Sequence, residues 1–276
     1  MRSGRHDGMR CAVSMPNAGD PHELVDLAVT AERSGWDGFF LWDHLQLDAV
    51  ARPRMLDPWV LLGAIAVRTT RVRLGAMVTP LARRRPWKLA KEITTLDHVS
   101  RGRVIVGVGL GVPADIEYGA FGEPTEARVH AAMLDEGLPL LDSFLRGDPV
   151  DHDGDHYHVH AHLNPPAFQR PRPPIWVAAT LSRARPIARA RRWDGIFPLG
   201  TDSSPLTADE LADLVAGLDP PVGYDVVGLL VPGTTVDDLA RSGATWAVDG
   251  PAGPGESLAD VRRRIEAGPP VTATSG

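Results

Sequence analysis

The chain has a single cysteine, Cys11, among its 276 residues. An intrachain disulfide is therefore excluded, which fits a reducing compartment. No apolar run approaches the ~20 residues that a membrane-spanning helix needs. The N-terminal stretch MRSGRHDGMR holds no apolar signal-peptide core. By default the expected location is the cytoplasm, with residues 1–8 a disordered leader and residues 269–276 a flexible tail. Positive charge is not in excess either: 29 Lys and Arg against 35 Asp and Glu leave a net charge of −6. Bulk electrostatics thus favour neither nucleic acid nor an anionic membrane surface as a partner. No internal repeat is evident.

What the chain does have is an alternation of strand and helix patterns, with 28 Gly and 25 Pro marking the connections. Cys11–Met15, Gly38–Trp42, Val72–Val78 and Val104–Val108 read as buried strands. Between them, Pro21–Ser34, Asp57–Val67 and Trp87–His98 read as helices. Asp57 is a plausible N-cap ahead of Pro58 at the first helical position. Val112–Phe121 reads as a loop over the strand ends, and Glu126–Leu145 as a long helix kinked or broken near Gly137 and Pro139. Asp148–Arg172 is a polar surface insertion.

Alternation then resumes. The strands Ile175–Ala179, Gly195–Pro198, Val226–Val231 and Ala244–Val248 are followed by the helices Ser182–Arg191, Ala208–Leu218, Val236–Ser242 and Leu258–Ala267. Eight strands, nearly all followed by a helix, point to a (β/α)₈ TIM barrel over residues 9–268, with an insertion between the fourth and fifth strands. The rival is an open doubly wound sheet, which carries its Gly-rich loop after the first strand. Here that turn reads PNAGD.

In such a barrel the chemistry sits at the carboxyl ends of the strands. Asp43 and His44 close the second strand as a carboxylate–imidazole pair, able to pass protons or simply to cap a loop. Gly107 to Gly111 closes the fourth strand with small residues, which let backbone approach a flat ring. Ala178-Ala179-Thr180-Leu181-Ser182 leads the fifth strand into a helix, whose N-terminus favours phosphate. Arg183 and Arg185 add positive charge nearby. Arg83, Arg84 and Arg85 are expected to be solvated loop charge, ahead of a role against an acidic cofactor tail. The alternating His156, His158, His160 and His162, with His152, are expected to form a solvated hairpin, and no metal site is expected. Trp42 and Trp59 are the tryptophans expected to face the pocket.

The segments GFFLWDHL, TLDHVSRGRVIVGVGLG, RPRPPIWVAA and RRWDGIFP, in this order and spacing, resemble the luciferase-like monooxygenase superfamily of flavin- and deazaflavin-dependent oxidoreductases. The resemblance spans roughly Met9 to Gly268, with a last third shorter than usual. It implies hydride exchange between a cofactor ring and a small-molecule substrate, with Asp43 and His44 as catalytic residues over the ring. Asp43 would also touch the cofactor. Ala76–Met77 matches a position that often carries a cis non-prolyl peptide behind the ring, and Thr79 one that hydrogen-bonds it. Gly107 and Gly109 match the close backbone approach, and Ala178, Ala179, Thr180 and Ser182 the phosphate stretch. The family often has two glycines where Ala178 and Ala179 stand. Val112 stands where the sugar-phosphate-oxidising branch has a glutamate, which argues against that substrate. Asp-His after the second strand favours coenzyme F420 over FMN. A homodimer is expected. An FMNH₂-dependent monooxygenase using O₂ and a non-catalytic cofactor-binding partner subunit are the alternatives.

Overall fold

The computed structural model describes residues 9–48, 50, 53–181, 184–250 and 256–270. Eight parallel staves follow one another around a barrel: β1 (Arg10–Met15), β2 (Gly38–Leu41), β3 (Arg73–Ala76), β4 (Val106–Gly109), β5 (Ile175–Thr180), β6 (Gly195–Leu199), β7 (Asp225–Leu230) and β8 (Trp246–Asp249). β8 pairs with β1, with Arg10 opposite Trp246 and Val13 opposite Asp249. Between β3 and β4 the ring closes through a parallel bridge from Leu74 to Val104 and through Thr79–Pro80, which pairs with Val108 and Gly109. The amide of Leu74 donates to Arg103 O at 3.1 Å, and that of Ile105 to Leu74 O at 3.0 Å. A Cβ on Gly75 would lie 1.9 Å from the Ile105 carbonyl oxygen, so this approach of two backbones requires glycine. The closed ring rules out the doubly wound sheet, which has two free edges.

Period-two alternation divides the strand residues between two cores. Phe39 and Val226 point outward to the helices; Phe40 and Val227 point inward. Inside, Phe40, Trp176 and Trp246 pack with ring centroids 5.2–6.0 Å apart. Below them Asp225, the first residue of β7, accepts from the indole nitrogens of Trp176 at 3.0 Å and Trp246 at 3.2 Å. The amino end of the barrel is thereby plugged, and the free space lies at the carboxyl end.

The helices obey their local signals. α1 (Pro21–Arg33) is capped by Asp20, and α2 (Pro58–Arg68) by Asp57, which accepts from Val60 N at 3.0 Å. α3 (Pro86–Ser100) follows β3. Two elements after the fourth strand differ from the sequence reading. The stretch expected as a loop contains a short helix, α4 (Ala114–Glu117), and a 3₁₀ turn, Gly119–Phe121. α5 (Ala127–Arg146) is one unbroken helix with Pro139 inside it. An interior proline costs about 3 kcal/mol. Leu134, Leu138, Leu141 and Leu145, all fully buried, outweigh that at about 1.5–3 kcal/mol each. Gly137 lets α5 settle onto Leu81 and Pro86, which a Cβ would meet at 3.2 and 3.3 Å. The remaining helices are α6 (Ala184–Ala190), α7 (Ala208–Leu218), α8 (Val236–Arg241) and α9 (Leu258–Ala267). α7 has eleven residues and α8 six.

Candidate active site

A cavity of about 470 Å³ opens at the carboxyl ends of the strands, walled mainly by apolar side chains such as Trp42, Val78, Leu110, Phe197 and Leu229. Seven of the expected site residues line it: Asp43, His44, Met77, Gly109, Ala178, Ala179 and Thr180. Three do not. Ala76, Thr79 and Gly107 lie beneath the wall. Ser182 falls outside the described residues, as does Arg183, and described helix α6 starts only at Ala184. The cis non-prolyl bond is Met77–Val78, one residue beyond the expected Ala76–Met77. Met77 and Val78 both line the cavity, and the expected third strand is split into Arg73–Ala76 and Thr79–Pro80. Trp42 faces the cavity, while Trp59 is buried and donates to Thr79 Oγ1 at 3.2 Å.

The arginine cluster is the main correction. Arg83 was expected to be solvated; its side chain is 6% exposed, and that of Arg84 is 16%. The 3₁₀ turn Leu81–Arg83 after the third strand folds them inward under the Asp43 carboxylate. Asp43, itself 2% exposed, accepts from Arg84 Nη2 at 3.0 Å, Arg84 Nε at 3.2 Å and Thr79 Oγ1 at 2.9 Å. Arg83 bonds both its carboxylate and its carbonyl oxygen. Asp43 is thus a charge hub with its oxygens already taken. Arg85, by contrast, begins α3 as its N-terminal flanking residue.

His44 is placed from two sides. Asn17, fully buried after β1, accepts from the His44 amide at 3.2 Å and donates to its carbonyl at 2.9 Å. The imidazole Nδ1 lies 3.0 Å from Oε1 of Glu117, whose side chain is fully buried. Glu117 also accepts from the amides of Leu45 and Gln46 and forms an ion pair with Arg83. Burial, and after it the Arg83 charge, push the His44 imidazole below its ordinary value; Asp43 pulls the other way. A largely neutral imidazole at the cavity wall is suited to accept a proton. Sequence reasoning missed Asn17 and Glu117. The one available signal for Glu117 was an acidic residue in the segment after the fourth strand.

Elsewhere the lining holds Arg189, 6% exposed, whose guanidinium bonds both oxygens of Asp135 at 2.6 and 2.9 Å. The histidine-rich insertion forms an antiparallel hairpin, Val150–Asp153 with His158–Ala161. His158 and His160 are exposed and face Asp153 and Asp151, while His152 turns to Glu136. Among the described residues no three His, Cys, Asp or Glu side chains converge as a metal would require.

The sequence matches the family model for luciferase-like monooxygenase over residues 4–220. The chain belongs to this family. The F420-dependent glucose-6-phosphate dehydrogenase of Nakamurella multipartita is 34% identical over 202 residues, covering 69% of this chain and 56% of that one. The protein of the same name from Microbacterium testaceum is 34% identical over 205 residues, covering 72% and 59%. The chain therefore spans somewhat over half the length of these curated relatives. Among solved structures, the coenzyme F420 dependent tetrahydromethanopterin reductase of Methanopyrus kandleri superposes with a TM-score of 0.76 at 16% identity, covering 94% of this chain and 96% of that one. An F420-dependent secondary alcohol dehydrogenase gives 0.73, also at 16% identity with the same coverage. These likenesses show the barrel fold.

Proposed function

We propose that the chain is an F420-dependent oxidoreductase that moves a hydride between the deazaflavin ring and a small organic substrate. The observation that carries this reading is the apolar cavity at the strand ends with His44 on its wall. Its volume of about 470 Å³ suits a cofactor or small-molecule site. A Cβ on Gly109 would sit 2.8 Å from Val78 and 3.3 Å from Ala178, so glycine lets these three cavity-lining residues pack closely. Met77, Val78, Gly109, Ala178, Ala179 and Thr180 are the residues proposed to hold the ring. The curated relatives named F420-dependent support this cofactor over FMN.

When bound, F420 supplies a carbon that takes or gives a hydride. The chain's own contribution is to orient the substrate, exclude water with apolar walls, and move a proton at His44. Asp43 is proposed to act through the arginines it holds, which fix the wall, more than through the ring. Among the described lining residues the one guanidinium, that of Arg189, is paired with Asp135. The open cavity beside His44 also speaks against a catalytically silent subunit, whose mouth bulky side chains would fill.

On the same reading the protein works in the cytoplasm as a homodimer; light scattering of the purified chain tests the second point. Among the described residues no helix is long and apolar enough to cross a membrane. The functional test is anaerobic turnover of a panel of alcohols and carbonyls with F420 and, in parallel, FMN. Turnover with F420 supports the reading. Turnover only with reduced FMN and oxygen replaces it by the monooxygenase alternative.

A further inference from the structure

We infer that Glu117 is the positioning residue of His44: its buried carboxylate accepts the hydrogen bond of Nδ1–H and leaves the Nε2 lone pair for the cavity. Around the Glu117 carboxylate stand the amides of Leu45 (3.1 and 3.3 Å) and Gln46 (3.3 Å) and the guanidinium of Arg83. All of these donate. A carboxylate enclosed by donors acts as an acceptor, so the His44 Nδ1 at 3.0 Å must be the donor. A neutral imidazole with its proton on Nδ1 carries its lone pair on Nε2. Among the described residues no protein group bonds Nε2, and His44 lines the cavity.

The ring is fixed as well as the tautomer. Trp42 packs edge-on against it with centroids 5.8 Å apart, and Asn17 clamps the His44 backbone on both its amide and its carbonyl. α4 brings Glu117 to this point, anchored by Tyr118, whose hydroxyl donates to Leu110 O at 2.6 Å. When a proton passes from a group in the cavity to Nε2, the resulting imidazolium lies beside the Glu117 carboxylate. The charged groups facing His44 are then Glu117 from α4, Asp43 from its own segment and Arg83 from the turn after the third strand. This inference rests on the proposed hydride-transfer reading only for its kinetic consequences; the tautomer stands apart from it.

The experiment is nitrogen-detected NMR of the full chain with ¹⁵N-labelled histidine, without cofactor, the His44 signal being identified by its loss in His44→Gln. In the wild type at pH 8 the expected spectrum has a protonated Nδ1 and an unprotonated Nε2. Glu117→Gln retains an oxygen toward Nδ1 and keeps that tautomer. Glu117→Leu removes it, and the two tautomers mix. With F420 and a substrate, Glu117→Leu should lower kcat by up to the roughly 10²–10⁴-fold that His44 itself contributes, with KM changed much less and the Gln variant partly rescued. A wild-type His44 protonated on Nε2 overturns the inference, and so does a Leu variant that keeps the Nδ1–H tautomer. If Glu117→Leu does not fold, the wild-type spectrum alone decides. If F420 fails to bind while the tautomer is as expected, the functional reading fails and the dyad survives.

Discussion

Asp43→Ala tests whether this carboxylate is a structural hub. In the wild type it sits 2% exposed between two guanidinium groups that are themselves largely buried. Its loss removes the bonds from Arg83, Arg84 and Thr79 together. Breaking a buried ion pair by deleting one partner costs about 3–5 kcal/mol, because the other charge stays buried. Here each arginine keeps a second partner: Glu117 for Arg83, and Glu92 and Asp57 for Arg84. The low end, about 3 kcal/mol, is therefore expected. That is roughly a hundredfold or more in the folding equilibrium, against the ~5–15 kcal/mol typical of a whole domain. Urea unfolding followed by tryptophan fluorescence measures it, with Asp43→Asn as the milder comparison. A loss within 1 kcal/mol would refute the reasoning, since it would mean that Asp43 carries no structural charge and is free to serve the cavity alone.

Three further outcomes are expected. His44→Ala should lower turnover by roughly 10²–10⁴-fold while F420 affinity changes little; steady-state kinetics beside a binding titration separates the two, and wild-type turnover would make His44 merely structural. Stability should rise with pH between the depressed value of His44 and about 6.5, because there the unfolded chain binds a proton that the buried imidazole refuses. The His44→Gln variant should lose that slope in urea midpoints measured across pH 5–7. Gly75→Ala should cost at least ~4 kcal/mol, because its methyl would meet the Ile105 carbonyl oxygen at 1.9 Å. Gly63→Ala, with nothing within 4 Å, should instead stabilise α2 by about 0.5–1 kcal/mol; thermal melts compare the pair.

The barrel was legible because period and punctuation agree in this chain. Asp57-Pro58 announces a helix start that the structure uses, and strands such as Phe39-Phe40 are continuously apolar because both faces are buried. Asp43 and His44 were legible for the same reason: a polar pair ending an apolar strand stands at the mouth of a barrel. What sequence could not show is where long side chains turn. Arg83 and Arg84 read as solvent charge until the Leu81–Arg83 turn carries them under Asp43. Glu117 lies 73 residues from His44, and Asn17 reaches His44 from another loop, so neither pairing leaves a local pattern. Pro139 misled in the opposite direction: of the kink or break that local propensity predicts, the break is overridden by tertiary packing of four buried leucines.

The central claim is that F420 binds in the cavity at the strand ends. Fluorescence titration of F420 into wild-type protein and into Ala178→Trp, with FMN as competitor, tests it most directly. Ala178 lines the cavity, so an indole there fills the space proposed for the ring. Saturable binding to the wild type that FMN displaces poorly is expected, and loss of binding in Ala178→Trp with an unchanged circular dichroism spectrum. No saturable F420 binding by the wild type, or equal binding by a folded Ala178→Trp, would contradict it.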